Sequence, residues 1–363
     1  MSGGAGNLRV AVSGCGMRSR SVWQRHLREQ EGFELVGVQD PSEESLAKAV
    51  ELGTIEPAQT YAELEPMLAA TKPDVLLVCP IIAAHVPAAG AGLGAGCHVL
   101  VEKPLAVHAA DAVGLVGQAE SKGLQLGVVQ NWRTKSVGQA LRKAIADGAV
   151  GDVSHVFFRY LRDRELPHLP DYLFEEEDPI LFAMSIHHFD LFRYALGQDF
   201  VSVQGHGTTP SWSRYRQPSV LQLWMEMDGG AVVSYVATFS SRNAHLPLES
   251  LQVEGELGTL YNDSEYSEPP LMLSRRGDDE ALDLTADVTE RDQQSQYELG
   301  DLAILRNFRA AVLGDEPLVA GARDNLGTLA AIDAARECLR SGAAVPVHRP
   351  DAIVEEELTR RNA

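Results

Sequence analysis

The chain has 363 residues, 45% hydrophobic and 23% charged, an ordinary globular composition at a length greater than one core usually serves, so two domains are expected. Its net charge of -20, from 31 Lys and Arg against 51 Asp and Glu, argues against nucleic acid or an anionic membrane as a partner. The first 130 residues alternate strand and helix signals. Leu8 to Ser13 reads as a short apolar strand ending in glycines, Ser19 to Gln30 as a helix, and Phe33 to Val38 as a second strand closed by Asp40-Pro41. Ser42 is placed to cap a helix over Glu43 to Leu52. Strands follow at Asp74 to Val78, Val99 to Val101 and Leu124 to Val129, with a helix over Ala109 to Lys122 stopped by Gly123. This alternation predicts an α/β domain over residues 1–130, built on a doubly wound parallel sheet.

The pattern changes after Gln130. A helix over Val137 to Asp147 is followed by strand-like runs at Val153 to Leu161, Phe200 to Gly205, Val220 to Met227, Ala231 to Thr238, Glu249 to Gly255 and Gly258 to Asn262. Asp228-Gly229-Gly230 is a hairpin signal, and a second pair of strands flanks Glu256-Leu257. One helix interrupts the strands near Leu181 to Leu196, the acidic stretch from Ser264 to Gln296 reads as loops and an exposed edge, and two helices close the chain at Leu299 to Leu313 and Asn325 to Ser341. An α+β second domain with a large, mostly antiparallel open sheet is therefore expected over residues 131–363. Cys15, Cys79, Cys97 and Cys338 lie far apart with no CxxC pair, which speaks against a disulfide framework or a zinc site, and no metal is expected. Residues 1–7 lack a basic-then-apolar leader, and Pro80, His85 and Pro87 interrupt the apolar region from Val75 to Val101, so a cytoplasmic protein is expected.

Two motifs carry chemistry. Gly14-Cys15-Gly16-Met17-Arg18-Ser19 fits G-x-G-x-x-G with Ser in the third position, after a strand and before a helix. Gly14 permits the tight turn, Gly16 lets a pyrophosphate approach the backbone, and the helix N-terminus offers N–H groups. Asp40, about twenty residues on at the end of the second strand, suits ribose hydroxyls and would repel a 2′-phosphate, so NAD is expected over NADP. The second motif is Glu102-Lys103-Pro104 at the exit of the apolar strand that ends at Val101, where open α/β sheets place their ligands. Pro104 restricts Lys103, so the lysine is aimed.

The combination resembles the glucose–fructose oxidoreductase/inositol dehydrogenase/rhizopine-catabolism family (Gfo/Idh/MocA). It rests on Gly14-Cys15-Gly16, Asp40, Cys79-Pro80 with His85, Val99 to Leu105, Gln130-Asn131-Trp132-Arg133, Gly148 to Val153 and Ile186 to Gly197. The resemblance implies a Rossmann domain, NAD(P)-linked oxidation or reduction of sugars or cyclitols, and homodimers or homotetramers that pair through the open sheet. It also implies cofactor contacts at Gly14, Gly16, Met17, Arg18, Asp40, Cys79, Pro80, His85, Glu102, Lys103 and Asn131.

Oxidising a secondary alcohol needs a hydride acceptor, a base for the hydroxyl proton and a positive group to steady the alkoxide. Lys103 is, by resemblance, the group beside the reacting hydroxyl, and His187 the acid/base, since imidazole titrates near neutral pH. On a helix His188 shares an apolar stripe with Leu191, Phe192 and Ala195 and reads as a packed residue, whereas His187 shares a partly polar one with Asp190, Leu191 and Tyr194. Many relatives carry an Asp four residues before this histidine; here the position is Ala183, so either His187 and Lys103 suffice, or another carboxylate such as Asp163 or Glu165 enters the site, or the substrate differs from the usual polyols. Arg133, Tyr160 and Arg162, with His187, are the substrate candidates. Ile81 stands where the family often has Asn. The irregular segment Asp163 to Pro179 reads as a lid or as a solvated connection, and its acidic run Glu175 to Asp178 is placed to complement the helix that follows. The leading expectation is an NAD-dependent dehydrogenase of a sugar, sugar derivative or cyclitol. The alternatives are a catalytically silent NAD-binding regulator and an enzyme that recycles bound NAD within one cycle.

Overall fold

Short Val- and Leu-rich runs buried on both faces make the strands of the first unit. In β4 (Val75–Val78) every residue is buried, the pattern of a parallel strand covered by helices on both sides. The computed structural model describes residues 6–242, 245–264, 268–286 and 296–355. These fall into two units: the chain up to Val129 with Asp301–Leu326, and Gln130–Gly300 with Gly327–Glu355.

In the first unit β1 (Leu8–Ser13), β2 (Phe33–Gln39), β3 (Thr60–Tyr61), β4, β5 (His98–Val101) and β6 (Leu126–Val128) form one parallel sheet in the order β3-β2-β1-β4-β5-β6. The order reverses between β1 and β4, and the crevice beyond those two strand ends is where such sheets bind ligands. A π-helical turn, Ser19–Trp23, leads into α1 (Gln24–Glu29) after the glycine turn. Then come α2 (Glu43–Glu51), α3 (Leu64–Thr71), α4 (His85–Gly94) and α5 (Ala109–Lys122). Ser42 caps α2, its hydroxyl accepting the Ser45 N–H at 3.2 Å, a contact of about 1 kcal/mol. Pro87 and three glycines interrupt the helical pattern over α4, so no helix is expected there from sequence. Pro87 sits in the first turn, where no intrahelical N–H bond is lost. Gly92 lets the helix lie on β4, since a Cβ there would stand 2.7 Å from the Leu76 side chain.

The second unit carries α6 (Ser136–Ala146), α7 (Ile186–Leu196) and a nine-stranded sheet. Its strands are β7 (Val153–Leu161), β8 (Phe200–Thr208), β9 (Val220–Met227), β10 (Val232–Thr238), β11 (Glu249–Gly255), β12 (Gly258–Ser264), β13 (Met272–Arg275), β14 (Leu282–Asp283) and β15 (Val345–Pro346), in the order β14-β13-β12-β11-β7-β10-β9-β8-β15. All pairings are antiparallel except β7 with β10. The register puts Leu223, Tyr235, Phe158 and Leu251 in one buried row. The opposite face carries the row Trp224, Ser234, Phe157 and Gln252. Part of the acidic stretch read as an exposed edge, residues 265–267 and 287–295, lies outside the described residues.

The closing helices depart from a second domain running continuously over 131–363. From Asp301 onward, α8 (Gln296–Leu313) packs in the first unit. Ile304, Leu305 and Phe308 join a core with Val12, Leu35 and Leu100. Gly127 of β6 leaves the room, since a Cβ would meet the Phe308 ring at 2.9 Å. The Val128 N–H also donates to the Ala320 carbonyl at 2.9 Å. α9 (Ala322–Ser341) then returns the chain to the second unit.

Candidate functional site

The glycine turn lies at the switch point. Gly14 has φ of 92°, and a Cβ there would fall 2.5 Å from the Cys79 carbonyl and the Pro80 nitrogen, so the β1 turn is pressed onto the exit of β4 and only glycine fits. A Cβ on Gly16 would meet nothing within 4 Å, which is the open space a pyrophosphate needs over the turn. Asp40 ties the turn from β2: its Oδ2 accepts the Cys15 N–H at 2.7 Å and its Oδ1 the Ser42 N–H at 2.9 Å. A carboxylate has about four acceptor positions, so two remain for hydroxyl donors. The arrangement fits a dinucleotide: Gly14, Gly16 and Asp40 would hold it. Met17 is 79% exposed. It lines a cavity of about 760 Å³ with Arg20, Arg25, Arg28 and Lys48, which none of the other expected cofactor residues lines.

At the end of β5, Glu102 is buried and takes two donors on Oε1, Arg18 Nε at 2.8 Å and the Trp23 indole N–H at 2.8 Å. Arg18 extends the network to Asp301 at 2.7 Å. Burial works against the charge on Glu102, but Arg18, Lys103 and Trp23 outweigh it and hold the carboxyl below its usual range. Arg18 and Glu102, expected among the cofactor contacts, thus hold the strand exit and α8 together. His85 serves the same exit, its Nδ1 standing 2.7 Å from the Pro104 carbonyl, and burial depresses its basicity. Lys103 follows on the half-buried rim of this exit. Cys79 is buried, which raises its thiol well above the ordinary value, so it contributes there as backbone and packing.

In the second unit α7 places the two histidines differently. His188 is fully buried among Trp132, Phe158, Tyr160 and Tyr235, with Nδ1 2.8 Å from the Tyr235 hydroxyl, in keeping with its apolar stripe. His187 stacks on Trp132 at 5.5 Å and 7°, and its Nδ1 lies 3.1 Å from Gln130 Oε1. Asn131, 2% exposed, starts the short helix that carries Trp132. Lys135 is also buried, its Nζ 4.7 Å from the Trp132 ring. From sequence, Gln130 and Trp132 carry the family resemblance without an assigned role, and Lys135 is not singled out. The available signal was position, since Gln130 comes two residues after β6 ends.

Two substrate candidates are engaged within the second unit. Arg133 is buried and forks onto Asp190 at 2.6 and 2.7 Å, which Thr328 also engages at 2.9 Å. Tyr160 is 0% exposed and packs in the aromatic core. Arg162 stays half-buried, its guanidinium 3.4 Å from the Tyr160 hydroxyl. The carboxylates considered in place of Ala183 are engaged elsewhere. Glu165 accepts from Ser213, Ser240 and the Arg214 N–H at 2.8, 2.5 and 2.8 Å, and Asp163 pairs with Arg242 at 2.8 Å. The segment after Asp163 is tied down by Arg214, which reaches the Leu166 and Leu169 carbonyls and Asp171. Of the acidic run, Asp178 pairs with Arg336 of α9 at 2.6 Å.

All four cysteines are buried and free, and no group of three metal-ligating side chains occurs among the described residues. No helix there is long and apolar enough to cross a membrane. Residues 8–130 match the family model described as the oxidoreductase family, NAD-binding Rossmann fold, and residues 139–261 match the GFO/IDH/MocA C-terminal domain. The chain is 27% identical to D-apiose dehydrogenase of Paraburkholderia graminis, covering 94% of this chain and 90% of that one. It is 27% identical to inositol 2-dehydrogenase of Pseudomonas fluorescens, covering 95% and 98%. Among solved structures, an oxidoreductase from Agrobacterium radiobacter in complex with NAD+, L-tartaric acid and magnesium superposes with a TM-score of 0.83 at 19% identity, covering 94% and 98%. An inositol dehydrogenase homolog from Azotobacter vinelandii, complexed with NADH and myo-inositol, gives 0.79 at 18%, again covering 94% and 98%. With both halves matched and the glycine turn at the switch point of its parallel sheet, the chain belongs to the Gfo/Idh/MocA oxidoreductases.

Proposed function

We propose that this oxidoreductase oxidises a secondary alcohol of a sugar, sugar derivative or cyclitol with NAD. The observation that carries the reading is the Gly14–Cys79 contact at the switch point, in a chain similar over nearly its whole length to D-apiose and inositol 2-dehydrogenases. Bound NAD supplies the ring that accepts the hydride. Gly14 and Gly16 receive its pyrophosphate, and the remaining acceptor positions of Asp40 take the ribose hydroxyls, which favours NAD over NADP because a 2′-phosphate would face a carboxylate. His187 takes the hydroxyl proton, and the Lys103 ammonium steadies the alkoxide as the hydride leaves carbon. A thermal-shift screen of sugars and cyclitols with NAD present tests this, followed by NADH absorbance on the hits. At least one polyol is expected to raise the melting temperature and to yield NADH; binding or turnover of none would remove the reading.

The same reading includes a homo-oligomer formed through the open sheet. Phe157 and Trp224 are 46% and 45% exposed on its uncovered face, with His155 stacked on Phe157 at 4.1 Å. Contiguous exposed aromatics of this kind mark association surfaces. Phe157→Glu with Trp224→Glu is expected to yield monomers of unchanged circular dichroism in light scattering; an unaltered mass would place the interface elsewhere.

A further inference from the structure

We propose that Gln130 is the positioning residue for His187, orienting the imidazole from a neutral amide and fixing Nε2 as the nitrogen that takes the proton. This rests on the reading of His187 as the base. A backbone carbonyl accepts hydrogen bonds and never donates them. The Ile186 carbonyl lies 3.5 Å from the side-chain amide of Gln130, so the amide must turn its NH2 toward it. Turning the amide over would set two acceptor oxygens against each other. The NH2 is thereby assigned to Ile186, and Gln130 Oε1 faces His187 Nδ1 at 3.1 Å. An amide oxygen also only accepts, so Nδ1 carries the hydrogen, and in a neutral imidazole the lone pair then belongs to Nε2.

Stacking on Trp132 at an interplanar angle of 7° holds the ring plane, and with the Gln130 bond it leaves the imidazole one orientation. Gln130 is 0% exposed, so water does not compete for its oxygen. The ionisable groups on the elements packed around the ring are Lys135, against Trp132, His188, bonded to Tyr235, and the Arg133–Asp190 pair, which neutralises itself. A neutral amide oxygen orients the imidazole by accepting from Nδ1.

The test is 15N NMR of histidine-labelled protein, with His187→Asn to assign the resonance, together with the pH dependence of kcat/KM. Wild type is expected to show the Nδ1–H tautomer at high pH, and Gln130→Ala a mixture, with kcat reduced about 10- to 100-fold, part of the span open to acid–base catalysis, and KM for NAD unchanged. Gln130→Glu keeps the acceptor and adds charge. It is expected to retain the Nδ1–H tautomer and to move the acidic limb of the profile up by about one unit or more, since an opposite charge at this distance favours the imidazolium. An Nε2–H tautomer in wild type, or an unchanged tautomer in a folded Gln130→Ala protein, overturns the proposal. So does an acidic limb that stays in place in Gln130→Glu. The NMR result stands whether or not a substrate is found, so its failure is separable from failure of the dehydrogenase reading.

Discussion

Lys103→Ala is expected to lower turnover by about 10²- to 10⁴-fold, the span typical of a positioned proton-transfer group, while leaving NAD binding and the fold intact. The second half of that expectation follows from Glu102. Its buried carboxylate already has Arg18 and Trp23 on Oε1, and Arg18 is anchored in turn by Asp301. The Lys103 backbone N–H, which donates to Glu102 Oε2 at 3.2 Å, survives the substitution. Removing the lysine side chain therefore leaves no buried charge without a counter-ion. Calorimetric titration with NAD alongside steady-state NADH formation separates the two effects. Full turnover would take Lys103 out of the chemistry, whereas lost NAD binding would make it a cofactor contact first.

The parallel domain was legible because its signals are local. Each strand is a short apolar run closed by a turn residue, and the glycine motif, Ser42 and Asp40 stand at the ends of those runs. α4 was illegible because its Pro and glycines answer a tertiary demand, the close approach to Leu76, that no periodicity records. The same holds for α8. Its apolar residues announce a buried face, but only the space over Gly127 decides that Phe308 fills it.

At the candidate site, residue type does not announce the partners that engage the side chains. Arg133 reads as a substrate candidate because guanidinium suits hydroxyls, and Arg18 as a cofactor contact by resemblance; Asp190, 57 residues away in sequence, pairs with the first, and Glu102 and Asp301 pair with the second. His187 and His188 were separable in advance because one helical step turns a side chain by about 100°, toward the sheet aromatics for His188 and toward Gln130 for His187. Gln130 stands in a resemblance motif, yet no role is legible there because a glutamine has no acid–base chemistry of its own. Its importance comes from the acceptor on one side and the imidazole on the other.

The largest expected loss of stability comes from breaking the Arg133–Asp190 pair on one side. Asp190→Ala strips the partner from a guanidinium that is 5% exposed, and the cost of an uncompensated buried charge is about 3–5 kcal/mol. Arg133→Ala is expected to cost a similar amount, since it leaves Asp190, 1% exposed, with the Thr328 hydroxyl. Replacing both residues by Leu removes both charges and fills the space, so the double variant should recover most of the loss in urea unfolding at an unchanged m-value. Asp190 lies one helical turn beyond His187 on α7, so the single variants should also lose activity, and the double variant should regain part of it. If Arg133 bound substrate instead, Arg133→Ala would raise KM at unchanged stability, and no second substitution at Asp190 would restore anything.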